Sequence, residues 1–131
     1  MQRSALFLLL FLVSPWVLAE TATGRVFVDE NRNGQLDGGE VGLPNVRVSN
    51  GLDVVLTDGN GRYRIAVDEQ TIIFITKPSN YAIPVNKHML PQFYYIHQPK
   101  GSPESIRYAG IEPTGQLPDE INFPLIVRPE E

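Results

Sequence analysis

Apolar side chains recur at every second position along this chain, and no stretch shows the three-to-four spacing of a helix. Val26 and Val28 share a face, as do Val46 and Val48, and then Leu52, Val54 and Leu56. Tyr63, Ile65 and Val67 follow, with Arg62 and Arg64 turned the other way. The run Thr71-Ile72-Ile73-Phe74-Ile75-Thr76 is apolar on both faces and predicts a strand in the middle of a sheet. Ile121, Phe123, Leu125 and Val127 alternate again, and Pro124, which has no N–H to give to a ladder, predicts that this strand lies at an edge. Thr57-Asp58-Gly59-Asn60-Gly61 carries the Asp-Gly and Asn-Gly chemistry of a tight hairpin. Eleven Gly and eleven Pro in 131 residues leave little room for helices. About seven short strands with turn signals at roughly 8–12-residue spacing predict an all-β sandwich.

Residues 78–118 break this rhythm. They hold seven of the prolines together with Tyr81, Phe93, Tyr94, Tyr95 and Tyr108. This Pro/Tyr-rich segment is expected to wrap the sandwich as long extended loops, with short strands near 93–97 and 106–109.

The ends read differently from the body. Met1-Gln2-Arg3 is a short basic start, Ala5 to Val13 is apolar, and Val17-Leu18-Ala19 supplies small residues for a cleavage site. The apolar stretch is shorter than the roughly 20 residues a spanning helix needs, so residues 1–19 are expected to be a secretory signal peptide. The body is then expected at 20–127, outside the inner membrane (periplasmic or extracellular), with 128–131 the start of a linker or tail. Losing residues 1–19 removes Arg3 alone, leaving 10 basic against 15 acidic residues, a net charge of −5. That sign argues against a nucleic-acid partner and, once the signal is removed, against an anionic membrane surface. With no cysteine, the chain can form no disulfide, thiol nucleophile or thiolate metal site.

One motif carries definite chemistry. Asp29-Glu30-Asn31-Arg32-Asn33-Gly34-Gln35-Leu36-Asp37-Gly38-Gly39-Glu40 matches the calcium-loop pattern D-x-[DN]-x-[DN]-G-x5-E at every specified position. Ca²⁺ takes six to eight oxygens at about 2.3–2.6 Å, and alternate residues of a tightly curled loop aim oxygens at one centre. Asp29, Asn31 and Asn33 would serve from side chains, Gln35 from its carbonyl, Asp37 directly or through water, and Glu40 with both carboxylate oxygens. Gly34 permits the bend. The competing reading is a polar turn whose Asp, Asn and Gly satisfy their own backbone. Strands rather than helices flank the loop, so the ion would be structural and not a sensor, with the modest affinity of extracellular modules, roughly 10⁻⁴–10⁻³ M.

Other signals are weaker. Asp58 and Asn60 are accounted for by their turn. His88 and His97 stand nine apart with no acid beside them, which points to exposed or packed residues in the wrap. Phe93, Tyr94 and Tyr95 form a candidate binding surface for a sugar or polymer, although packing of the wrap onto the sandwich is the favoured account of them. No Gly-rich phosphate loop, G-x-S-x-G or H-E-x-x-H occurs.

The order of these residues resembles known families. Gly24 to Asp29 leading into the loop, then Gly42-Leu43-Pro44-Asn45-Val46, resembles the calcium-binding B domains of serine–aspartate-repeat adhesins. Thr57 to Tyr63 is similar to the hairpin of transthyretin-like, carboxypeptidase regulatory-like domains. Phe93-Tyr94-Tyr95-Ile96-His97, Gly101-Ser102-Pro103, Gly110 to Pro118 and Asn122-Phe123-Pro124-Leu125 resemble the N-terminal domain of secreted bacterial calcineurin-like phosphoesterases, over nearly all of 24–128. That resemblance implies a transthyretin-like or immunoglobulin-like sandwich preceding a two-metal hydrolase domain. The hydrolase motifs, Asp-x-His, Gly-Asp and Gly-Asn-His, do not occur here, so no catalytic residue carries over. The expectation is a non-catalytic accessory module whose partner is a phosphoesterase catalytic domain or subunit. The alternative is an independent cell-surface or periplasmic binding module.

Overall fold

The computed structural model describes residues 20–102, 110 and 112–128. Eight strands are present among them: β1 Glu20–Val28, β2 Arg47–Ser49, β3 Val54–Leu56, β4 Arg62–Val67, β5 Thr71–Thr76, β6 Tyr81–Ala82, β7 Tyr94–His97 and β8 Phe123–Val127. They form two four-stranded sheets, ordered β4-β1-β8-β6 and β3-β2-β5-β7. No described residue is helical, and the chain is an all-β sandwich. The expected strand at 106–109 and the signal segment 1–19 lie outside the described residues.

Alternation places the core. From β4, Tyr63, Ile65 and Val67 are buried while Arg62 and Arg64 are exposed. They meet Ala22 and Val26 of β1, Phe123 and Leu125 of β8, and, from the other sheet, Val48, Ile73 and Ile75. The Tyr63 hydroxyl donates to the Ile121 carbonyl at 2.7 Å, so the one polar atom of that ring is satisfied inside.

Three expectations need correction, and that for β5 holds. Leu52, Val54 and Leu56 do not face the core: Val54 and Leu56 are 60% and 57% exposed, and Val55 packs inward instead. Four of the five residues 52–56 are apolar, so period two cannot set its own phase. β5 does lie inside its sheet, between β2 and β7, but only Thr71, Ile73 and Ile75 are buried, and Ile72 is 50% exposed.

Thr57 to Gly61 is not a hairpin, because β3 and β4 belong to different sheets. The turn hands the chain across the sandwich. It is held there by the Val26 N–H donating to the Gly61 carbonyl at 2.8 Å.

Finally, β8 is not an edge strand. It runs parallel to β1 on one side and antiparallel to β6 on the other. The Leu125 carbonyl accepts the Asp29 N–H at 2.8 Å, so the neighbouring Pro124 turns its nitrogen away from β1. On that far side β6 pairs only with Ile126 and Val127, and the missing donor meets no ladder.

Candidate metal centre

The loop at 29–40 leaves β1 and curls back on itself. Gly34 takes φ +77°, the left-handed conformation the bend demands. Asp29 is 2% exposed at the end of β1. Its carboxylate accepts the N–H of Gly34 at 2.7 Å and that of Asn33 at 3.3 Å. Asn31 and Asn33 each accept a backbone N–H two residues on, from Asn33 at 3.3 Å and Gln35 at 2.9 Å. Both then donate their amides to one oxygen of Asp37, at 2.8 and 2.7 Å. Glu40 closes the ring by accepting the N–H of Glu30 at 2.9 Å and of Asp37 at 2.8 Å, one on each oxygen.

The structure thus joins Asp29, Asn31, Asn33, Asp37 and Glu40 in one hydrogen-bonded network. Gln35 enters it through its N–H and not its carbonyl. Among the described residues, however, no three His, Cys, Asp or Glu side chains converge as a metal-holding group. Electrostatics accounts for the spacing: carboxylates repel one another, and each of the three is held instead by N–H donors. The donors fit Ca²⁺ in kind, since all are hard oxygens. A half-turn of each Asn amide exchanges nitrogen for oxygen beside Asp37, and Glu40 would have to release its two N–H partners. The buried Asp29 is the unusual member. It is an acid inside the protein held by neutral N–H groups, with no Lys, Arg or His within ion-pair distance among the described residues.

The remaining sequence-selected residues lie elsewhere. Phe93 is exposed and meets Tyr94 edge-on at 5.1 Å between ring centroids, whereas Tyr95 packs against the core. The three therefore do not form one flat platform. Burial raises the Tyr95 hydroxyl above its usual pKa of 10.0. His88 is exposed. His97 is 1% exposed, with Nε2 3.6 Å from Glu20 and neither ring nitrogen hydrogen-bonded among the described residues. Nothing in its sequence neighbourhood marks it for burial, because the inward phase of β7 is set by pairing with β5.

One grouping escaped the sequence entirely. Antiparallel pairing of β1 with β4 sets Arg25 directly opposite Arg62, and Thr23 opposite Arg64. The three arginines lie on strands separated by some forty residues of sequence, and only the register brings them together. They line a cleft of about 700 Å³.

Curated proteins yield no match to the chain. A family model described as the N terminal of calcineurin-like phosphoesterase matches residues 30–110. That span takes in most of the polar loop, strands β2 to β7 and the Pro/Tyr-rich segment, and exceeds half of the chain's 131 residues. This chain belongs to the family of N-terminal domains of calcineurin-like phosphoesterases.

Proposed function

We propose that this chain is a secreted, non-catalytic β-sandwich module, stabilised by one structural Ca²⁺, that serves as the accessory domain of a phosphoesterase and orients or packs against its catalytic part. The family match over 30–110 carries this reading, since the matched region is the N-terminal domain and not the hydrolase. Two-metal phosphoester chemistry needs two ions about 3.5–4 Å apart held by several acidic and histidine ligands. The chain has two histidines, one exposed and one buried beside Glu20.

Calcium is supported by the motif match at every specified position and by the buried Asp29 carboxylate, which a divalent cation would neutralise. Asp29, Asn31, Asn33, the Gln35 carbonyl, Asp37 and Glu40 would hold the ion. Its contribution is rigidity: it would tie the exit of β1 to the path entering β2. The basic start and small-residue cleavage site support export, and an oxidising compartment asks nothing of a chain without cysteine.

Calorimetric unfolding of residues 20–131 with and without chelator tests the calcium part. A higher Tm in millimolar Ca²⁺, abolished by Glu40→Gln, is expected; an unchanged Tm reduces 29–40 to a polar turn. Turnover of a phosphomonoester by the purified chain, surviving metal-free purification and re-addition controls, would overturn the non-catalytic reading.

A further inference from the structure

We propose that the cleft carrying Arg25, Arg62 and Arg64 is a binding site for a phosphate-type oxyanion, taken as a phosphomonoester whose organic part lies against Leu36 and Leu56. The cleft has a volume of about 700 Å³, room for a small ligand. Its charge arises from a pairing that a sheet ordinarily avoids. Arg25 and Arg62 are direct cross-strand partners, and like charges set opposite one another destabilise a sheet. Arg64 lies two residues further along β4 on the same outward face.

None of the three guanidinium groups makes an ion pair or hydrogen bond among the described residues. Arg25 goes further: its Nε is buried and has no hydrogen-bond partner. A buried, unpaired N–H on a charged group is costly to keep, and a small turn of the side chain toward an anion would supply its acceptor. Two acids share the cleft. Asp58 is already engaged, since one of its oxygens accepts the N–H of Asn60 and of Arg62. Glu120 is exposed and forms no ion pair among the described residues, while the Asp58 carboxylate feels the charges of Arg62 and Arg25, so both acids are counter-charges a ligand must overcome.

The number of donors selects the ligand class. A carboxylate has two oxygens and is served by a single bidentate guanidinium. Three guanidinium groups offer more donors than that, and suit a group with three terminal oxygens and close to two negative charges. Leu56 is 57% exposed at the same cleft, and Leu36 adds a second apolar side chain from the 29–40 loop. A bare ion would leave that wall wet, whereas an ester would cover it. The assignment requires neither calcium nor a catalytic partner.

Titration calorimetry of the purified chain at low ionic strength tests it, with phenyl phosphate, inorganic phosphate and acetate as probes. Saturable one-to-one binding of phenyl phosphate is expected, tighter than inorganic phosphate, with acetate weakest. Arg62→Gln with Arg64→Gln should weaken phenyl phosphate binding by about tenfold or more. Both residues are exposed and one of them faces Arg25 across the strands, so the doubly substituted chain should keep a Tm no lower than wild type, which separates loss of the site from loss of the fold. Glu120→Gln should tighten binding. No saturable heat, equal affinity for acetate, or an affinity indifferent to the two arginine changes would overturn the site. Equal affinity for inorganic phosphate would overturn the ester and leave an anion site alone.

Discussion

Two loops rich in Asp, Asn and Gly connect strands in this molecule, and they use the same residue types for different ends. At 57–61 a single carboxylate does the work of the turn. One oxygen of Asp58 accepts the N–H of Asn60 at 2.8 Å and of Arg62 at 2.9 Å, while the Gly61 N–H returns to the Asp58 carbonyl at 2.9 Å. Those backbone donors, the Arg62 N–H foremost, hold the Asp58 carboxyl below its ordinary value of 3.8. Asp58 stands alone as the acid of its turn, and it is exposed. At 29–40 the backbone is served just as well, but by several side chains joined in one network. Asp37 collects two amides on one oxygen, and Asp29 is buried with no Lys, Arg or His within ion-pair distance among the described residues. A buried acid and a shared side-chain network separate the 29–40 loop from the 57–61 turn, and composition alone does not separate them.

The sharpest way to break this comparison is at Gly42, where the chain leaving the 29–40 loop passes the 57–61 turn. A Cβ on Gly42 would lie 1.8 Å from the Asn60 carbonyl oxygen, which is backbone and cannot swing aside. Gly42→Ala should cost about 3 kcal/mol or more and lower Tm by more than about 10 °C in calorimetry. Gly59→Ala, with open space around its Cβ, is the matched control and should leave Tm nearly unchanged.

Calcium comes next in size. At 100 times its dissociation constant the ion would add about 2.7 kcal/mol. That rise in Tm should vanish in Glu40→Gln and persist in Asp58→Ala. Loss of the response in both variants would erase the distinction between the loops.

Tyr63, two residues beyond the 57–61 turn, tests how that turn is anchored. Tyr63→Phe removes the hydrogen bond to Ile121 and leaves its buried carbonyl short of a donor, at a cost of about 1–2 kcal/mol in denaturant unfolding. Burial raises the Tyr63 hydroxyl above its ordinary pKa of 10.0. A raised folded-state value means that this contribution is whole below pH 10 and is lost as pH climbs above it. The alkaline loss of stability should therefore be shallower in Tyr63→Phe.

The smallest expected effect is on the acid side. Asp58 and Asp68 are both lowered below 3.8, Asp58 chiefly by the Arg62 N–H and Asp68 chiefly by the Gln70 N–H. Their contribution is present above that value and is lost as pH falls through the depressed one. Between pH 4 and pH 2 the decline in Tm should be slightly less steep in Asp58→Asn than in the parent.

Local pattern alone determined a good deal here. Strand burial follows period two, so Tyr63, Ile65 and Val67 could be assigned inward and Arg62 and Arg64 outward from their order. The bend at 29–40 was equally readable, because turn chemistry is a local property and Gly34 does take the left-handed conformation. What failed in each case depended on a partner strand. The phase of β3 is ambiguous in an almost wholly apolar run. Whether Pro124 is tolerated inside a sheet depends on how short β6 is. Whether 57–61 makes a hairpin or an arch depends on which sheet β3 joins. The direction of the oxygens at 29–40, the burial of His97 and the meeting of Arg25 with Arg62 and Arg64 were likewise decided only by the fold. A sequence specifies which way a side chain points relative to its neighbours along the strand. Register and sheet order specify what it meets across the gap, and those are settled by long-range packing.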